Sequence, residues 1–120
     1  MGTATLYRWD DLTTDTPMPL LVRQRVIGDL MMISRVELQK GCKVPMHSHA
    51  NEQISCMISG RLKFVLGPDN RELVAVAGEV LHLPAHVPHA AEALENCVVL
   101  DLFAPPSQTT GIDVVTPATH

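Results

Sequence analysis

The chain has 120 residues, a formal net charge of −4 and no cluster of lysine or arginine. This length suggests one domain, which buries enough surface to be stable without disulfides. Hydrophobic residues make up 46% of the chain and aromatic residues only 3%, so we expect a mainly aliphatic core. Nucleic-acid binding is not expected, because neutralising phosphates requires a basic face.

The cysteines indicate the compartment. Cys42, Cys56 and Cys97 form no C-x-x-C pair and leave an odd one over, which predicts a reducing environment, the cytoplasm. Residues 1–10 have no apolar segment of the signal-peptide kind, and no apolar run approaches the roughly 18 residues that a membrane helix needs. We therefore expect neither a membrane nor a nucleic acid as partner.

Short predicted strands follow one another along the chain. Residues 1–19 are polar, end in Pro17-Met18-Pro19 and predict an extended arm, and residues 104–120 predict an irregular tail. Between them, strands are predicted over 20–27, 30–38, 44–49, 53–58, 62–66, 72–77, 80–83, 89–94 and 97–103. Strands at this spacing, without a sustained helical period, are typical of an all-β sandwich or barrel. We treat residues 1–120 as a single domain.

A group of histidines predicts a metal site. His47 and His49 project from one face if both lie on a strand, and Gln53 keeps the same parity if that strand is unbroken. With His89 downstream, three imidazoles and an amide oxygen could hold one divalent transition metal: Zn, Ni, Fe, Mn or Cu. Glu52 competes with Gln53 as the oxygen ligand, although its parity points it away. Histidines that are merely hydrogen-bonded, without a metal, are the alternative.

Two motifs resemble those of the cupin family. Residues 41–60 have the pattern G-x5-H-x-H-x3-Q-x6-G of the first motif, with Gln53 where glutamate is commonest. Residues 78–89 have the pattern G-x5-P-x-H-x2-H of the second, with His86 where glycine is usual. The resemblance implies a double-stranded β-helix, the jelly-roll cupin barrel, with His47, His49, Gln53 and His89 as metal ligands.

A second resemblance concerns function. Residues 88–95 and 101–106 are similar to the pectin-degradation cupins that linearise unsaturated uronates. This implies a metal-dependent lyase or isomerase that acts on a small oxygenated acid, in carbohydrate metabolism. The alternatives are an Fe(II) dioxygenase and a non-catalytic barrel that binds a small ligand. Small cupins are usually homodimers, and residues 20–27 could pair across such an interface.

Asp101 interrupts an otherwise apolar predicted strand. A carboxyl group there must be paired, or neutral with a raised pKa, and a raised pKa suits a general acid/base. Phe103 shares its face and could pack on a substrate, unless the alternation points both residues to the surface. Arg35 is the first choice for binding an anionic substrate, since guanidinium matches carboxylate. Met57 could fill the pocket beside the substrate.

Overall fold

The computed structural model describes residues 2–107, which form two antiparallel β-sheets packed face to face. A short 3-10 turn over Trp9–Asp11 precedes the strands. The strands are β1 (Asp15–Met18), β2 (Leu21–Ile27), β3 (Met32–Leu38), β4 (Lys43–His47), β5 (Glu52–Ser59), β6 (Arg61–Leu66), β7 (Arg71–Val76), β8 (Val80–Leu83), β9 (His89–Ala93) and β10 (Cys97–Ala104). One sheet has the order β1-β2-β3-β10-β5-β8 and the other β4-β9-β6-β7. The predicted all-β jelly roll is confirmed.

Period-two alternation builds the core between the sheets. Along β3, every second residue (Met32, Ser34, Val36 and Leu38) is buried while the alternate residues are more exposed, and β6 alternates in the same way. The two inner faces supply a largely aliphatic core, as the composition predicts: Leu21, Val36, Leu38, Cys42, Val44, Met57, Leu62, Phe64, Leu66, Ala75, Leu83, Ala93, Cys97 and Val99. Within residues 2–107, no helix is long and apolar enough to span a bilayer.

Part of the predicted extended arm, residues 15–18, belongs to the six-stranded sheet. These residues form β1, an edge strand paired with β2. Pro17 is tolerated because an edge strand leaves one row of backbone groups unpaired. Asp15 accepts two hydrogen bonds from buried Arg23, at 2.7 and 3.1 Å, and this guanidinium lowers the pKa of the Asp15 carboxyl. At the other end β10 extends to Ala104, and residues 108–120 of the predicted tail lie outside the described residues.

The second glycine of the first motif, Gly60, is required by its surroundings. It has a φ of +87°, in the left-handed region, and a Cβ added there would overlap the carbonyl oxygen of Asn96. Gly60 therefore lets β5 turn sharply into β6, which moves the chain from the six-stranded sheet to the four-stranded one.

Candidate metal centre

The three histidines predicted as metal ligands meet inside the sandwich. His47, His49 and His89 each offer a ring nitrogen, and these nitrogens all lie within 4.8 Å of one another. His47 at the end of β4 is the direct cross-strand partner of His89 at the start of β9. The ring centroids of these two residues are 4.3 Å apart.

The residues do not reach the site along one continuous strand. β4 ends at His47, the chain crosses to the other sheet through residues 48–51, and Gln53 lies on β5. The predicted shared parity of His47, His49 and Gln53 is therefore not what gathers them. The crossing brings them together, because it places ligands from both sheets around one point.

Backbone carbonyls hold the three rings in one tautomer. The Nδ1 atoms of His47, His49 and His89 lie 2.8, 3.0 and 2.8 Å from carbonyl oxygens two residues away in sequence. A carbonyl only accepts, so each Nδ1 carries the hydrogen and each neutral ring presents an Nε2 lone pair. Within the described chain, the buried Nε2 of His89 has no hydrogen-bond partner. A buried nitrogen lone pair that accepts no hydrogen bond is available to bind a metal ion.

Gln53 adds an oxygen to the same point. Its Oε1 lies 3.1 Å from Nε2 of His49. In the tautomer above both atoms are acceptors, so a cation between them would satisfy both. Two ligands of one transition-metal ion, with bonds of about 2.1 Å, are about 3 Å apart when those bonds are perpendicular. Glu52, the rival ligand, projects outward and lies 2.6 Å from Nε2 of exposed His82.

Burial keeps the rings ready for a metal. Burial lowers the pKa of His47 and lowers the pKa of His89 to about 4. The hydrogen bonds to the backbone carbonyls raise both pKa values, but by less than burial lowers them. These imidazoles are therefore neutral at neutral pH, the form that binds a metal. Neutral imidazole and amide oxygen suit Zn, Fe, Ni, Cu and Mn, so the residues present fit one divalent transition metal.

The second-motif loop contacts the first. His86 adopts a φ of +69°, and its backbone N–H donates to the carbonyl oxygen of His49 at 2.8 Å. A left-handed conformation is strained for most residues, which explains why glycine is usual at this position of the motif. Asn51, in the loop between β4 and β5, ties that loop to the segment after β10, because its side chain donates to the carbonyl oxygen of Pro105.

Asp101 lies on the inner face of β10, beside the histidine cluster. Its Oδ1 accepts from Oγ of Ser55 at 2.6 Å and from Nε2 of Gln53 at 3.3 Å. Burial raises the pKa of this carboxyl to about 6, although the hydrogen bonds from Ser55 and Gln53 and the proximity of His49 lower it. A carboxyl group in this range can take and return a proton near neutral pH.

These groups line one cavity. Its empty volume is about 480 Å³, a figure that includes the open solvent at its mouth. Its polar lining residues are His47, Gln53, Ser55, His89 and Asp101. The rest of its lining is apolar: Leu21, Val36, Leu38, Val44, Leu62, Phe64, Ala91, Val99 and Phe103. The ring of Phe103 packs edge-on to His49, with centroids 5.8 Å apart.

Two predicted substrate contacts are not part of this cavity. Arg35 lies on the outer face of β3, because it alternates with the inward residues Ser34 and Val36. There its Nη1 pairs with Glu37 Oε1 at 3.0 Å. Met57 faces inward but packs in the hydrophobic core and does not line the cavity. Neither placement supports the predicted contact with a substrate.

Sequence reasoning missed Ser55. Its hydroxyl touches Asp101 across 46 residues of sequence, and the residue is 1% exposed. Its only local signal is its position two residues after Gln53, which puts both side chains on the same face of β5.

The ligand assignment predicts how metal content responds to mutation. His47→Ala, His49→Ala and His89→Ala should each strip most Zn²⁺ from the purified protein, since three remaining donors bind far more weakly than four. Metal analysis and far-UV circular dichroism would measure this, with the β-rich spectrum retained. His82→Ala is the matched control, because that ring lies on the outer face and should leave metal content unchanged. Full Zn²⁺ content in any of the three variants would remove that residue from the site.

The raised pKa of Asp101 predicts a pH-dependent stability difference. Folded Asp101 holds its proton up to about pH 6, whereas the ordinary value is 3.8, so its contribution to stability is present below 3.8 and is lost as pH rises through 6. Asp101→Asn does not titrate. Its stability relative to the parent should therefore rise between about pH 4 and pH 8, by no more than about 3 kcal/mol.

Urea unfolding of the metal-free proteins at both pH values would measure this difference. Asp69→Asn, which removes an exposed carboxyl from the β6–β7 turn, is the control and should show no such rise. His89, whose pKa is shifted the opposite way, is present in all the proteins and cancels in the comparison. An equal stability difference at the two pH values would contradict the raised pKa.

Comparisons with known proteins concern the fold and the family. A search of curated proteins found no match. Among solved structures, KdgF from Halomonas sp. is similar, with 23% identity, coverage of 88% of this chain and 97% of its own, and a TM-score of 0.81. An RmlC-like cupin from Shewanella frigidimarina has 21% identity, coverage of 88% and 95%, and a TM-score of 0.81.

Oxalate decarboxylase from Bacillus subtilis, an enzyme with Mn(II) centres, shares the fold at 17% identity and a TM-score of 0.76. The match covers 95% of this chain and 34% of that one. These likenesses concern the fold. The cupin domain family itself matches residues 34–103, which is more than half of the sequence, and the chain therefore belongs to the cupin family.

Proposed function

We propose that this protein is a metal-dependent enzyme that acts on a small oxygenated acid, and that its reaction is the linearisation of an unsaturated uronate. One observation carries the proposal: Asp101, with a pKa near 6, lines the same cavity as the histidine cluster. A barrel that only binds a ligand has no need of a buried carboxyl held at a working pKa beside its metal ligands.

The proposed metal is held by Nε2 of His47, His49 and His89 and by Oε1 of Gln53. When bound, it would supply Lewis acidity toward a substrate carboxylate or hydroxyl. The lining, as far as residues 2–107 supply it, contains no lysine or arginine. The proposed ligands, three imidazoles and one amide, are neutral and would not cancel the positive charge of a bound metal. That charge would then attract an acid.

Asp101 would move the proton. Its Oδ1 is occupied by Ser55 and Gln53, so Oδ2 is the oxygen that exchanges a proton with the substrate. Acting as a base it would accept a proton from water or a hydroxyl group, and acting as an acid it would return it during hydration or ring opening. Phe103 would pack on the carbon skeleton and keep water from that face.

Two lines of support point to uronates. Residues 88–95 and 101–106 resemble the pectin-degradation cupins, and KdgF has the same fold over nearly its whole length. Oxalate decarboxylase supports only the broader class, since its name gives oxalate, another small acid, as substrate. The three free cysteines support a reducing compartment such as the cytoplasm.

The function predicts a specific loss in Asp101→Asn. The metal-loaded variant should retain its metal and bind an unsaturated uronate, while turnover falls by about 10²–10⁴-fold because the transferable proton is gone. Turnover would be measured anaerobically with an unsaturated galacturonate or mannuronate. Arg35→Ala, on the outer face, is the control and should turn over normally. Intact turnover in Asp101→Asn would exclude it from the mechanism, and a parent protein that instead consumes O₂ would be a dioxygenase.

We also propose a homodimer, formed through the outer face of the six-stranded sheet. The outer face of an antiparallel sheet is usually polar, but here eight apolar residues share the outer face of four adjacent strands. Register places its residues side by side: Ile33, Ile54, Cys56, Ile58, Val80, Val98, Leu100 and Leu102. Val80 is 63% exposed and Ile58 is 50% exposed. We call these eight residues the outer apolar face.

A second copy of the chain fits this face best. The face covers roughly 300 Å² in projection, at about 4.8 Å between strands, and suits the apolar centre of an interface of about 800 Å² per partner. The Arg35–Glu37 pair and the Glu52–His82 pair border it and would form the polar rim of the interface. Residues 20–27 are not available for pairing, because β2 lies between β1 and β3.

The proposed dimer interface predicts that a charge at one surface valine, Val80, changes the mass in solution from dimer to monomer. Val80→Asp buries a charge in the interface and should yield a monomer by light scattering at micromolar concentration, where the parent is a dimer. Val74→Asp, at a 40% exposed valine of the other sheet, is the matched control and should remain dimeric. A monomeric parent would refute the dimer, and a dimeric Val80→Asp would move the interface elsewhere.

A further inference from the structure

The side-chain amide of Gln53 faces two different groups. Its Oε1 lies 3.1 Å from Nε2 of His49. Its Nε2 donates to Oδ1 of Asp101 at 3.3 Å and to Oγ of Ser55 at 3.0 Å. Ser55 in turn donates its hydroxyl hydrogen to the same Oδ1 at 2.6 Å. Gln53 is 7% exposed and Ser55 1%, so this network is built into the barrel wall.

Counting donors gives the amide one orientation. The ionised carboxyl of Asp101 only accepts, so an N–H of Gln53 must face it. The single hydrogen of the Ser55 hydroxyl goes to Asp101, which leaves that oxygen to accept the second N–H of Gln53. A reversed amide would set its oxygen against Oδ1 of Asp101. The oxygen of Gln53 is therefore directed at the histidine cluster.

We propose that Gln53 couples the metal site to Asp101. Through its oxygen it would bind the metal, and through its N–H groups it acts as a positioning residue for Asp101, leaving Oδ2 free toward the cavity. An amide, rather than the carboxylate commonest at this position of the motif, is then a requirement of this site. The inference deepens the proposed function through its metal ligands but depends on no particular substrate or reaction.

Glutamate at position 53 would lack the N–H donors on which this hydrogen-bond network depends. A carboxylate has no N–H to donate to Asp101 or Ser55, and it would place one carboxylate against another at about the present 3.3 Å contact. The extra negative charge favours a metal cation, but the facing carboxylate opposes that gain. Asparagine at position 101 would remove the opposition, since its amide can donate to a carboxylate at position 53.

A double-mutant cycle tests this coupling. Zn²⁺ affinity would be measured by competition with a chelator for the parent, Gln53→Glu, Asp101→Asn and the double variant. The gain in affinity from Gln53→Glu should be at least about tenfold larger in the Asp101→Asn background than in the parent. Gains that agree within about twofold would show independent residues and overturn the proposal.

The same four proteins, freed of metal, give a readout that needs no metal. Gln53→Glu should lower the urea midpoint of unfolding in the parent background, and by clearly less in the Asp101→Asn background. Equal losses would overturn the contact between the two side chains. A parent that binds no Zn²⁺, Ni²⁺ or Mn²⁺ would overturn the coupling to a metal, whereas absent turnover with intact coupling would count only against the proposed reaction.

A pair of serines provides an independent comparison that does not require Gln53→Glu to fold. Ser34 and Ser55 flank Asp101 on the two neighbouring strands, and both are almost fully buried. Of these two serines, Ser55 is the one that accepts a hydrogen bond from Gln53. Ser55→Ala should weaken Zn²⁺ binding by about tenfold, as loss of a partner that orients a ligand does, and Ser34→Ala by less than about twofold. Equal effects of the two changes would overturn the proposal.

Discussion

The site depends on a shortage of hydrogen-bond donors. Three imidazoles give their only N–H to backbone carbonyls, and the lone pairs that remain point toward one another and toward the oxygen of Gln53. Buried acceptors without donors are costly, and no rotation of these side chains relieves them all while the carbonyls hold the rings. A cation is the group that satisfies such a set, and the lowered pKa values of His47 and His89 show that a proton would serve poorly in its place.

The position of Asp101 follows from the same network. Burial takes water from its carboxyl, and within residues 2–107 the hydrogen bonds that replace it come from Ser55 and Gln53, both to one oxygen. The pKa therefore stays above its ordinary value, which places the group where it can both accept and donate a proton. The metal ligands and the acid/base candidate are thus consequences of one polar patch in a wall that is otherwise aliphatic.

Local patterns predicted the strands well and the faces less well. Turn residues marked nine strands whose ends differ from the structure by no more than two residues, because glycine and proline report backbone shape directly. β1 escaped prediction because Pro17 and polar neighbours conceal an edge strand. Parity alone left Asp101 and Phe103 undecided between two faces, since apolar residues occur on both sides of their strand. Only strand register reveals that Arg35 faces outward and that Ser55 adjoins Asp101.

The crossing of the chain between sheets has a mechanical consequence. His47 and His89 belong to the four-stranded sheet, whereas Gln53 belongs to the six-stranded sheet. An ion held by these residues would be a cross-link between the two layers of the sandwich, in the way a disulfide joins two segments. Sliding of one sheet over the other would then change the spacing of the ligands. Substitutions in the aliphatic core, far from any ligand, would therefore change the affinity for the ion. Bound metal would in turn stabilise the packing of the two layers against separation.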